Sequence, residues 1–130
     1  MTVRLTLVAL TCLAAAVACS GESEGDVVMN SEQRFVPSTI TVSVGEPVTF
    51  VNDSDEVHTV MGEQDDLPNG ATYFASGGFE NEDAARSNPG DGFILEGETF
   101  EVEFGVPGTY EYFCIPHEAS GMKGTIIVEE

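Results

Sequence analysis

Apolar and polar positions alternate in short runs along most of this chain. Ile40, Val42 and Val44 are interleaved with Thr41 and Ser43, and Phe100, Val102 and Phe104 with Thr99, Glu101 and Glu103. A period of two sets one face of a segment against a core and the other in water, so both runs predict half-buried β-strands. Val48 and Phe50 continue the apolar alternation beyond Val44. Tyr110, Tyr112 and Cys114 share parity, and hence a face, on a strand that begins at Gly108; residues 124–128 read as its return strand. Gly45-Glu46-Pro47, Asn52-Asp53, Gly97-Glu98 and Val106-Pro107-Gly108 punctuate these runs as turns. No stretch sustains a helical period over three turns. Short strands with turns at this spacing predict an all-β chain folded as an antiparallel sandwich.

Residues 62–92 break the rhythm. They hold Asp65-Asp66, Pro68-Asn69-Gly70, Gly77-Gly78 and Asn88-Pro89-Gly90, with a turn or two of helix expected over 81–86. The segment reads as one long excursion between strands, a length that is commonly functional or mobile. Tyr73, Phe74 and Phe79 within it are expected as satellite core.

The chemistry concentrates near the C-terminal end. Cys114, His117 and Met122 lie within nine positions, in the spacing Cys-x2-His-x4-Met. A thiolate and an imidazole bind copper strongly, and a thioether is an acceptable weak ligand for it; with a second imidazole they make a trigonal site with a distant axial sulfur, suited to electron transfer. The chain has one other histidine, His58, which follows the Val44–Phe50 alternation. Zinc gains little from a thioether. Met61, three residues beyond His58, reads as core, and Asn52, which opens a glycosylation sequon, as a structural hydrogen-bonding residue.

These residues carry a resemblance. The segment 35–52, His58, the run 108–117 and the run 121–128 together resemble the plastocyanin and halocyanin group of the cupredoxins, and the likeness extends from about Val27 to the end. It implies a Greek-key β-sandwich with one long excursion after the first His ligand. It also implies a single type 1 copper per chain, held by His58, Cys114, His117 and Met122. By the same resemblance the backbone N–H of Thr59 donates to the Cys114 sulfur, and His117 presents an exposed edge that passes electrons to partners. The family commonly has Asn where Thr59 stands, which touches side-chain bracing but not the backbone donor. Pro116 has no N–H, so it cannot add a second hydrogen bond to the sulfur.

Length, charge and leader set the context. Of 130 residues, Met1-Thr2-Val3-Arg4 followed by an apolar stretch from Leu5 to Val17 describes a secretory signal ending at residue 18, too short for a membrane span. Ala16-Val17-Ala18-Cys19 resembles a lipobox, which makes Cys19 a lipid-attachment site. Residues 19–27, acidic and rich in Gly and Ser, suit a flexible tether, leaving 28–130 as one folded domain. The expected location is exported, on the outer face of the cytoplasmic membrane or in the periplasm, with the lipid as the membrane attachment. Cys12 and Cys19 belong to the leader, so the folded part owns one thiol, Cys114, and metal ligation is a reason for an exported protein to keep it.

Lys and Arg number 4 against 23 Asp and Glu, a formal charge of −19. That surface excludes nucleic acid, whose binding rests on neutralising phosphates, and fits a salty environment that screens repulsion among carboxylates. The function expected is a monomeric blue-copper carrier moving one electron between redox protein partners. The alternative is a copper-binding protein for buffering or delivery, although no exchangeable Met- or His-rich tract exists. An enzyme is not expected, because further copper centres would need further histidines.

Overall fold

The computed structural model describes residues 24–130. The expected signal segment and Cys19 lie outside these residues. Eight strands form two four-stranded sheets. The first contains β1 (Val27–Met29), β2 (Phe35–Val36), β4 (Pro47–Asn52) and β6 (Thr99–Glu103), in the order β2-β1-β4-β6. The second contains β3 (Thr39–Ser43), β5 (Met61–Gly62), β7 (Gly108–Phe113) and β8 (Lys123–Glu129), in the order β3-β8-β7-β5. The expected all-β sandwich is present, with one amendment to its pairing. β1 runs parallel to β4 and β3 parallel to β8, whereas the other four strand pairings are antiparallel. Each parallel pair joins two strands of one sheet whose intervening chain passes through the other sheet, so a turn-by-turn reading of hairpins could not supply them.

The alternation works as expected in the central strands. Val48 and Phe50 of β4, Tyr110 and Tyr112 of β7, and Ile126 and Val128 of β8 point into one core. At its centre the Tyr112 ring meets Phe35 at 4.6 Å and Phe50 at 5.3 Å, both edge to face, the geometry that ring quadrupoles favour. Gly124 lies directly against the Tyr112 ring, where any side chain would overlap it. The edge strands β3 and β6 bury their apolar residues only in part, because they lie at the rim of the sandwich. Val44 falls beyond β3 and is exposed, and Phe104 is buried just past the end of β6.

Val27, placed by sequence in the tether, is buried in β1, and Asp26 exchanges hydrogen bonds with Thr49 of β4 through its N–H and its carboxylate. The ordered sheet therefore takes in the last two tether positions.

The excursion is built onto the β5 edge. Helix α1 (Glu82–Ser87) forms where a turn or two was expected, capped by the Asn81 side chain accepting from Ala84 N–H at 2.8 Å, with Glu82 and Asp83 at its positive end. Ala85 packs with Met61 and Phe113 in a second, smaller cluster that Tyr73 and Phe79 cover, while Phe74 joins the main core. All three aromatic residues thus act as core. Ser76 ties the two ends of the excursion together, accepting from Val60 N–H at 3.1 Å and donating to the Gly92 carbonyl at 2.6 Å.

Candidate metal centre

The four donor candidates come from two places at one end of the sandwich. His58 follows β4 and is held by its own backbone: its N–H donates to the Ile94 carbonyl at 3.3 Å and its carbonyl accepts from Ile94 N–H at 2.8 Å. Ile94 is where the chain returns from the excursion, so the Ser76 tie and the Ile94 bridge together set the His58 backbone. Cys114 ends β7 and Met122 precedes β8. Cys114 N–H donates to the Met122 carbonyl at 3.0 Å, extending the β7–β8 ladder by one pair. The intervening loop closes on itself through Ser120 N–H and Met122 N–H, both donating to the His117 carbonyl, and through Gly121, whose φ of 76° few side-chain-bearing residues adopt.

His58, Cys114 and His117 present ligand atoms that all lie within 4.8 Å of one another. Nδ1 of His58 is 3.8 Å from the Cys114 sulfur and Nδ1 of His117 is 3.6 Å from it; the two rings stand 4.9 Å apart, tilted by 56°. His58 and Cys114 are fully buried and Met122 nearly so, whereas the His117 side chain keeps 13% of its surface exposed. Burial pushes the Cys114 thiol above its ordinary range, opposed by hydrogen bonding from Thr59. Burial also holds His58 below its usual value, reinforced by His117. Both effects come from taking charge out of water, and the second keeps an imidazole lone pair available as a ligand.

Thr59 has two roles at the site. Its N–H donates to the Cys114 sulfur at 3.4 Å, and its hydroxyl oxygen accepts from Ile115 N–H at 2.9 Å. The bracing that the Asn-to-Thr difference left in question is supplied by the hydroxyl. Pro116 is exposed and offers no donor.

Three neighbours were not foreseen from sequence. The Ser54 hydroxyl lies 2.9 Å from Nε2 of His58. One oxygen of the Glu56 carboxylate, itself buried, stands 3.7 Å from Nε2 of His117, and the other accepts from Gln33 at 3.2 Å. Arg86 grips Glu118, the residue after His117, by two hydrogen bonds of 2.8 and 3.0 Å, and lies 4.6 Å above the Phe113 ring. The acid beside a ligand histidine was a visible signal for the last; nothing in a single sequence marks Ser54 or Glu56. Asn52 is fully buried and engaged in hydrogen bonds, as its structural reading expected.

A thiol and two imidazoles, aimed at one point beside a buried thioether, form a donor set that fits copper: borderline nitrogen, soft sulfur and a weak axial partner. Among the described residues this is the one such group. Fold and donors together define a cupredoxin with a type 1 copper site. The chain belongs to the copper-binding proteins of the plastocyanin/azurin family, whose model matches residues 22–129. It is 38% identical over 95 residues to plastocyanin of Scenedesmus fuscus, covering 73% of this chain and 86% of that protein. It is 36% identical to the chloroplastic plastocyanin of Chlamydomonas reinhardtii, over 74% of this chain and 59% of that one. Among solved structures, oxidised plastocyanin of Dryopteris crassirhizoma superposes with a TM-score of 0.57 at 27% identity, covering 79% of this chain and 98% of the fern protein. A copper-containing nitrite reductase from Thermus scotoductus also superposes, with a TM-score of 0.58 at 26% identity, but this chain matches only 22% of it.

Proposed function

We propose that this protein is an extracytoplasmic one-electron carrier working between redox protein partners as a monomer, with His58, Cys114, His117 and Met122 as the copper ligands. The observation that carries the reading is the asymmetry of burial: three donors are sealed in the sandwich and one imidazole, His117, reaches the surface. Copper bound there would supply a one-electron couple between its cupric and cuprous forms. The chain's part is to keep the donors in one arrangement for both forms. The His117–Met122 loop bonds to itself, Thr59 ties Ile115 to the His58 strand, and Arg86 ties Glu118 to α1. Met122 would offer the metal a weak thioether donor, and Thr59 N–H stabilises negative charge on the Cys114 sulfur. The exposed edge of His117 is the point of closest approach for a partner.

Burial of His58, Cys114 and Met122 opposes rapid metal exchange and so disfavours buffering or delivery. An oxidase or reductase reading lacks donors, since both of the chain's histidines serve this one centre. Export and attachment through Cys19 rest on the leader composition, and mass spectrometry of the mature N-terminus tests them; a start at or after Ser20 without lipid rejects the anchor. The copper centre is tested by the absorption spectrum of the oxidised protein. One copper per chain and an intense thiolate-to-copper band, abolished by Cys114→Ser, is the expected result. Full copper loading without colour overturns the assignment.

A further inference from the structure

The His58 ring has a defined outer partner. Its Nδ1 faces the Cys114 sulfur at 3.8 Å, so a ring that ligates through Nδ1 must hold its one proton on Nε2. Nε2 belongs to a fully buried residue, and a buried N–H needs an acceptor. The acceptor within reach is the Ser54 hydroxyl at 2.9 Å. That hydroxyl has a single proton, and Asn52 Oδ1 lies 2.9 Å away to receive it. Asn52 cannot be turned the other way. Its Nδ2 donates to the carbonyls of Glu56 at 2.7 Å and Ile94 at 2.9 Å, and its Oδ1 also accepts from Ser54 N–H at 3.0 Å. The Glu56 carbonyl is a second, longer acceptor for the Ser54 proton at 3.4 Å, and with either acceptor the hydroxyl oxygen is left free to receive the proton of His58 Nε2.

We propose that Ser54, oriented by Asn52, is a positioning residue that selects the Nε2–H tautomer of His58 and fixes its ring angle toward the metal. The inference deepens the copper reading and rests on it. The opposite tautomer would draw the Ser54 proton away from Asn52 Oδ1 and the Glu56 carbonyl and set an Nδ1–H against the Cys114 sulfur 3.8 Å away, a weak acceptor, so the network favours Nε2–H. Outer partners of this kind fix the tautomer and orientation of metal-binding histidines. Asn52 meanwhile holds the 52–58 loop through its own hydrogen bonds to the Glu56 and Ile94 carbonyls, which do not depend on the Ser54 hydroxyl.

The test compares Ser54→Ala and Ser54→Thr with the wild-type chain. In the copper-free protein at mildly alkaline pH, long-range proton–nitrogen NMR of the imidazoles should show His58 wholly as Nε2–H in the wild type and in Ser54→Thr, with an Nδ1–H population appearing in Ser54→Ala. Copper affinity should fall roughly 10- to 100-fold in Ser54→Ala and recover in Ser54→Thr, and the copper hyperfine splitting should change in the alanine variant alone. A Ser54→Ala protein with wild-type tautomer, affinity and hyperfine splitting overturns the proposal. A lowered melting temperature with an unchanged tautomer also overturns it, since that is the mark of a merely structural residue. Should Ser54→Ala fail to fold, an Nδ1–H tautomer in the wild-type chain alone would overturn it, and Nε2–H together with recovery in Ser54→Thr would support it. A wild-type chain that binds copper without colour would defeat the copper reading instead, and the tautomer measurement is independent of that result.

Discussion

Replacing Thr59 by Val removes one oxygen from a fully buried position and leaves the shape nearly unchanged. The backbone N–H to the Cys114 sulfur survives, because it does not depend on the side chain. What is lost is the acceptor for Ile115 N–H, now bonded at 2.9 Å. Orphaning a buried donor costs about 1–3 kcal/mol, and since Ile115 is only partly buried the lower part of that range, about 1–2 kcal/mol, applies. For a domain of this size each kcal/mol shifts the melting temperature by roughly 4–8 °C, so the copper-free variant should melt about 5–15 °C below the wild type. Thr59→Ser supplies the control. It keeps the hydroxyl and loses a methyl group, at a cost of about 1 kcal/mol for the buried carbon. Thermal melts of both copper-free variants, followed by circular dichroism, decide the matter. The refuting result is a Thr59→Val protein that melts with the wild type or above Thr59→Ser, since the hydroxyl would then not be bracing the loop. The loaded Thr59→Val protein should still be blue.

Met122→Gln should keep a coloured site and lower the reduction potential, because an oxygen donor favours the cupric form; a ten- to hundredfold shift in that preference is roughly 60–120 mV for one electron, read by redox titration. Glu56→Gln removes a negative charge 3.7 Å from the outer nitrogen of His117 and should raise the potential. With the carboxylate partly in water, roughly 0.5–1 kcal/mol is expected, or about 20–40 mV; an unchanged value would show the charge to be screened out, and a lower one would refute the electrostatic argument. Stability should rise with sodium chloride from dilute buffer to molar salt. Of the three cations among the described residues, Arg86 and Lys123 are each paired with acids, which leaves a large surplus of carboxylates repelling one another. The Debye length falls from about 10 Å at 0.1 M to about 3 Å at 1 M. A melting temperature flat or falling across that range would remove repulsion as the controlling force.

The sequence by itself determined a good deal here. Period-two alternation located the central strands, since one-sided burial imprints itself on every second residue of β4, β7 and β8. The loop spacing from Cys114 to Met122 grouped three donors, because a tight turn between paired strands leaves little freedom in how they converge, and the scarcity of histidine singled out His58. Tertiary structure alone decided the rest. Parallel pairing of β1 with β4 and β3 with β8 depends on which sheet each strand enters, a long-range choice with no local signature. The partial burial of Ile40, Val42, Phe100 and Val102 follows from edge position and not from pattern. Thr59, Ser54 and Glu56 acquired their roles from contacts spanning 56 residues, 4 residues and 61 positions of chain, respectively. A hydroxyl near a histidine in sequence has no preferred partner until the buried loop, closed by Asn52 and Ile94, excludes water and leaves it the one acceptor in reach.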